Sequence, residues 1–158
     1  MKLTTSAFDH EGRIPDKYSK DGENLSPPLS WTGVPAGTKS LALIVDDPDA
    51  PSGVFVHWLV YGIPPGAKGL EEGQPRTETL AEGIRQGRNG FGELGYGGPQ
   101  PPSGTHRYIF HLFALDQELS LSSGVSRRQV DSALKGHVIA EAQLVGTYTH
   151  HEPGSQAA

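Results

Sequence analysis

A chain of 158 residues with a formal charge of −5, 21 glycines, 13 prolines and no cysteine fits one domain. The missing cysteine excludes disulfides, thiolate metal sites and cysteine nucleophiles. With no run of Lys or Arg, nucleic acid and anionic membrane surfaces are poor partners, although a small anionic ligand answers to local donors instead of net charge.

The amino-terminal residues MKLTTSAFDHEGRIP have no apolar core of signal-peptide length, and no stretch suits a stable membrane insertion, so a cytoplasmic location is expected. One domain over residues 1–158 is expected, with 1–7 and 150–158 as frayed tails. The first thirty residues are polar and turn-rich and end in NLSPPLSW, where Pro27 and Pro28 rule out a helix interior. TKSLALIVDD (38–47) predicts a strand apolar on both faces. GVFVHWLVYGI (53–63) and HRYIFHLFAL (106–115) predict two more of the same kind. The glycine-rich segment 68–104 between them reads as a long structureless connection of the functional or mobile type. Ser126 and Gln129 have capping-box spacing, and Val130, Leu134 and Val138 recur at helical intervals. Gly136 is a stop, HVIAEAQ adds a further helical turn or two, and LVGTY closes the chain as a strand. The composite is a mainly β, sandwich-like domain whose central sheet is covered on both faces, with few helices.

Alternation along strands assigns faces. Leu41, Leu43, Val45 and Asp47 share one face, with Asp47 at the strand's end. His57 lies with Phe55, Leu59 and Tyr61, while Trp58 faces away into the core. His106 lies with Tyr108, Phe110 and Leu112, directly after the loop GGPQPPSGT. If these strands are neighbours, one carboxylate and two imidazoles meet where two turn-rich loops end. Imidazoles supply tunable hydrogen bonds, and glycines let backbone amides approach an anion. Several residues have plainer readings. His111 reads as a core histidine satisfied by a backbone carbonyl. Asp47 and Asp49 also read as turn formers. Arg107 pairs with a surface acid, and His150 and His151 are solvated. GFGELG (Gly90–Gly95) matches a dinucleotide fingerprint letter for letter but lacks the strand before it and the helix after it. A zinc site from Asp47, His57 and His106 is possible by residue type but lacks motif spacing. No metal or other cofactor is expected.

DPDAPSG…VHWLVYGIP and GYGGPQPPSGTHRYIFHLFALD resemble the two signatures of the phosphatidylethanolamine-binding protein family, also called the Raf kinase inhibitor-like proteins, and the closing GHVIAEAQLVGTY is similar to its short bacterial members. The resemblance implies a large antiparallel sheet packed on a smaller one with peripheral helices. It also implies a cavity for phosphate-like anions or phosphorylated head groups. Carried over by motif position, Asp47, His57 and His106 form that cavity, Gly98 and Pro99 line its anion site, Tyr108 lines the wall and Phe55 fills the aromatic position before His57. A non-enzymatic binding protein is therefore expected, with a protein kinase or other signalling protein as a further partner and a homodimer as its assembly. The alternative is a small hydrolase using His57, His106 and Asp47 to activate water. Many bacterial members carry cysteine where this chain has Gln100, so no thiol acts here.

Overall fold

The computed structural model describes residues 1–149; the expected tail at 150–158, with His150 and His151, lies outside them. Eight strands and one α-helix follow in the order β1 (Lys2–Thr4), β2 (Leu29–Thr32), β3 (Ser40–Asp47), β4 (Phe55–Ile63), β5 (Gly69–Leu70), β6 (Arg85–Gln86), β7 (Thr105–Leu115), α1 (Arg127–Leu134) and β8 (Val138–Thr149). A five-stranded antiparallel sheet, β6-β4-β3-β7-β8, packs on a three-stranded sheet, β1-β2-β5. The mainly β, two-sheet expectation holds.

β3 lies centrally, and all eight of its residues are buried. Leu41, Leu43 and Val45 face the small sheet, meeting Leu29 and Trp31 of β2 and Phe110 and Leu112 of β7. Ala42 and Ile44 face the other way, against Leu59, Leu119, Val125 and the Val130 and Leu134 stripe of α1. A strand covered on both sides has no polar face, which is why it reads as an unbroken apolar run.

Four expectations change. Residues 2–4 are not frayed, because they pair with Ser30–Thr32 of β2 and bury Leu3. The segment after Gly136 forms no helical turn. It enters β8, which pairs with β7 from Val138 to Thr149. Ala142, Leu144 and Tyr148 alternate inward there, so small residues that suit a helix serve instead as the shallow face of a strand. α1 itself begins as expected, with Ser126 and Gln129 completing a reciprocal capping box. The connection between β4 and β7 is structured. Gln86, fully buried, accepts from Trp58 Nε1 at 2.7 Å and donates to the carbonyls of Pro75 and Thr77 at 2.8 and 2.9 Å.

The fourth change sets the site. Opposite β3, the register steps from Val45↔Trp58 to Asp46↔Val56, leaving His57 as an extra residue in a β-bulge. Strict alternation fails across such a bulge. Trp58 and Val60 therefore point into the core between the sheets, while Leu59 and Tyr61 turn to the α1 side. His57 stacks edge-on against Tyr108 on the same face as Trp58, not with Leu59 and Tyr61. No helix among the described residues is long and apolar enough to cross a membrane.

Candidate functional site

β3 ends at Asp47 between β4 and β7, so its carboxylate is flanked by His57 from one neighbour and His106 from the other. Together with Phe55, Tyr108 and Phe91 they line a hollow of about 140 Å3. That is room for some four or five waters, well below the range of drug-sized ligand pockets. Only a compact group fits.

Each polar side chain has a defined neighbourhood. Asp47 is 3% exposed. Its Oδ2 accepts from His106 Nδ1 at 2.6 Å and its Oδ1 from the Asp49 amide at 2.8 Å. His57, also 3% exposed, donates from Nδ1 to the Gly97 carbonyl at 2.6 Å, while the Gly97 amide donates to the His57 carbonyl at 2.9 Å. Both imidazoles thus spend Nδ1 on the scaffold, and neither Nε2 has a hydrogen bond to a described residue. Burial pushes the His57 pKa below its ordinary value, outweighing the Gly97 bond and the Asp47 charge. The ring is held as the neutral Nδ1–H tautomer, with Nε2 as an acceptor.

Tyr108 is 1% exposed, and its hydroxyl, close to the Asp47 carboxylate, meets no acceptor at full hydrogen-bond geometry. Burial first, then the nearby Asp47 charge, raises its pKa far above the usual tyrosine value, so the phenol keeps its proton. A buried O–H without a well-formed hydrogen bond costs free energy unless something else completes it. Tyr108 lines the hollow together with the two imidazoles.

The frame around these groups is aromatic and pinned. Phe55 lies 5.0 Å from the His57 ring and 4.7 Å from Phe91. Asn89 fixes Phe91, its Oδ1 accepting from the Phe91 and Glu93 amides at 2.9 and 3.2 Å. Arg107 holds the loop after Asp47 through Asp49, with bonds of 2.9 Å from Nε and 2.8 Å from Nη2, and lowers the Asp49 pKa to about 2. Arg107 therefore pairs with an acid as expected, and Asp49 is an ion-pair partner as well as a turn former.

Five of the seven expected residues, Asp47, Phe55, His57, His106 and Tyr108, meet in one hollow. Gly98 and Pro99 do not line it. The Gly98 amide donates to Asn24 Oδ1 at 2.7 Å, and a Cβ there would come within 2.3 Å of the Tyr18 carbonyl. Its glycine serves the close packing of this loop on the 18–24 segment, and no amide remains for an anion. Pro99 has no amide hydrogen, and its carbonyl accepts from Lys20. The lining after them is Gln100, Pro101 and Pro102. Phe91 was missed because it sits inside the rejected glycine-rich motif. A lone aromatic among glycines was the available signal. His111 is no core histidine: half-buried, it lies 3.4 Å from Asp46 and 3.1 Å from Glu141. Burial alone would lower its pKa, but the two carboxylates win and the net shift is upward. Asp46, one residue from the site, also pairs with Arg127 of α1. Among the described residues no group of three or more His, Asp or Glu is placed to hold a metal ion.

Residues 4–149 match the family model described as phosphatidylethanolamine-binding protein. A protein of Methanothermobacter thermautotrophicus is 57% identical over 148 residues, covering 94% of this chain and 98% of its own length. The crystal structure of CT736, described as a phosphatidylethanolamine-binding protein homologue from Chlamydia trachomatis, superposes with a TM-score of 0.87 at 44% identity, over 95% of this chain and 97% of that one. YbcL of E. coli, described as a member of the same mammalian family, gives 0.88 at 34% identity, over 95% and 98%.

Proposed function

Because the chain belongs to the phosphatidylethanolamine-binding protein family, we propose that its hollow binds phosphate-like anions or the phosphorylated end of a small head group, without turnover. The observation that carries this reading is the buried Tyr108 hydroxyl without a well-formed hydrogen bond, in a hollow lined also by two imidazoles that bond the scaffold through Nδ1. A tetrahedral oxyanion would give the phenol a better-placed acceptor. No Ser, Thr, Cys or Lys lines the hollow to serve as a nucleophile.

The protonation states give the reading a sign. Neutral His57 offers Nε2 only as an acceptor, which suits the P–OH of a monoanion. Once protonated, it becomes a charged donor. The anion raises the imidazole pKa in the complex above its lowered value in the free protein, so binding takes up a proton. Affinity therefore rises as pH falls through the imidazole range, and a phosphomonoester gains its monoanion as pH falls through about 6. Calorimetric titration of phosphate and phosphoethanolamine is expected to show tighter binding at about pH 5.5 than at about pH 8, on either side of the histidine range. Equal affinity at both would remove the charge-assisted hydrogen bond from the account. Folding stability moves oppositely, since a histidine buried neutral must be charged as pH falls below its unfolded value of about 6.5.

The buried Asp47–His106 pair favours a second reading, with the carboxylate orienting an imidazole whose Nε2 takes a proton from water. A panel of phosphoesters and carboxylic esters tests it. Turnover that disappears in His106→Ala would establish a hydrolase, and absence of turnover on every substrate would leave binding as the function.

A further inference from the structure

A second cleft, of about 400 Å3, opens at the Ser40 end of β3. It lies seven residues along the strand from Asp47, about 24 Å at the rise of an antiparallel strand. Its volume falls in the usual range for small-molecule sites. Lys39, Arg85, Glu82 and Glu118 are all in its wall. None of the four takes part in an ion pair among the described residues. Two cations and two carboxylates thus share one cleft without neutralising each other.

Arg85 is held with unusual firmness for an uncompensated cation. It sits on the outermost strand, opposite Tyr61 in register, and its guanidinium carbon lies 5.8 Å from the Tyr61 ring centroid. Nη2 donates to the Leu119 carbonyl at 3.0 Å. The guanidinium lies over Gly62, at φ +69°, where a Cβ would come within 2.7 Å of Nη2. Nε is buried and has no partner. A planar donor fixed in this way is a receptor for a carboxylate, because its geometry is set before the ligand arrives. On the same wall Glu82 holds left-handed backbone angles, φ 62° and ψ 24°, a strain that non-glycine residues keep where the surroundings impose it, often at binding sites.

We propose that this cleft is a second ligand site that takes a small zwitterion of the free amino-acid type. The carboxylate caps Arg85 with Lys39 beside it, and the ammonium meets Glu82 and Glu118. A plain dianion is disfavoured there, because it would face two carboxylates with nothing to offer them. Neither half of the ligand suffices alone, since each leaves one charged pair of the wall unanswered.

The test is an NMR titration of the full chain with L-alanine, and with acetate and ethylammonium as its separated halves. Alanine is expected to produce saturable amide shifts around residues 62–64, 82–85 and 118–120 and none around His57 and Tyr108. Each half-ligand should bind about tenfold more weakly, the loss of one charge-assisted contact. Arg85→Gln should weaken alanine by a similar factor. Glu118→Gln, at an exposed position, should weaken alanine and leave acetate as tight as before or tighter, and it decides alone if Arg85→Gln fails to fold. No saturable shift at the cleft, acetate binding as tightly as alanine, or alanine indifferent to Glu118→Gln would each overturn the proposal. Phosphate binding at Tyr108 is read from different amides, so either site can fail without the other.

Discussion

Tyr108→Phe is expected to weaken phosphate binding by about ten- to a hundredfold, the worth of one hydrogen bond to a charged acceptor. The same change should leave the protein as stable as before or slightly more so. Deleting a hydroxyl normally costs stability because it strands a partner, but the nearby Asp47 carboxylate keeps its bonds from His106 and the Asp49 amide. Phe keeps the ring that packs edge-on against His57 at 5.0 Å, and it removes a buried donor whose desolvation goes uncompensated in the free protein. A fall in affinity with no fall in stability is the pattern of a residue kept for a ligand. Calorimetry with phosphate, paired with urea unfolding of the ligand-free protein, measures both. Wild-type affinity in Tyr108→Phe would remove the hydroxyl from the site, and a large loss of stability would mean that it serves the fold.

Gln86→Leu should have the largest effect on stability, lowering it by roughly 2–4 kcal/mol. The two side chains are similar in size, so packing changes little. What changes is that the buried Trp58 indole N–H is stranded, while the carbonyls of Pro75 and Thr77, on exposed residues, lose their partly buried bonds at the same time. Each stranded group costs about 1–3 kcal/mol, and because they share one residue the costs do not simply add. The Tm should fall by on the order of 10 °C in a chain of this length. Trp58 fluorescence offers a local readout, since the indole reports on its own lost bond. A loss under about 1 kcal/mol would show that water or a rearranged loop replaces the amide.

These two residues mark how far the sequence could be read. Tyr108 was legible: it stands two positions after His106 in a strand, on the face that alternation assigns to the site. Gln86 was not. A glutamine in a glycine-rich stretch carries no local signal that three groups distant in sequence will converge on it. The same limit explains Gly98. It was expected to line the hollow, but its amide belongs to Asn24, a partner 74 positions away.

By itself the sequence determined the buried strands at β3, β4 and β7, because a strand covered on both faces must be apolar throughout. It determined the start of α1, because a capping box is a local contact between residues three apart. It also determined that Asp47 closes one strand before a turn-rich loop, while His57 and His106 lie near the start of strands that such loops enter. Tertiary structure decided the rest. The bulge at His57 puts that ring on the face of Tyr108 and turns Leu59 and Tyr61 away, and a bulge exists only in relation to the strand opposite. β8 is a strand because twelve residues of modest propensity find β7 to pair with. Which donors remain free for a ligand was likewise settled by distant partners claiming the others. Local pattern fixes what each segment prefers, whereas hydrogen bonds and burial between segments are chosen only once the chain has folded back on itself.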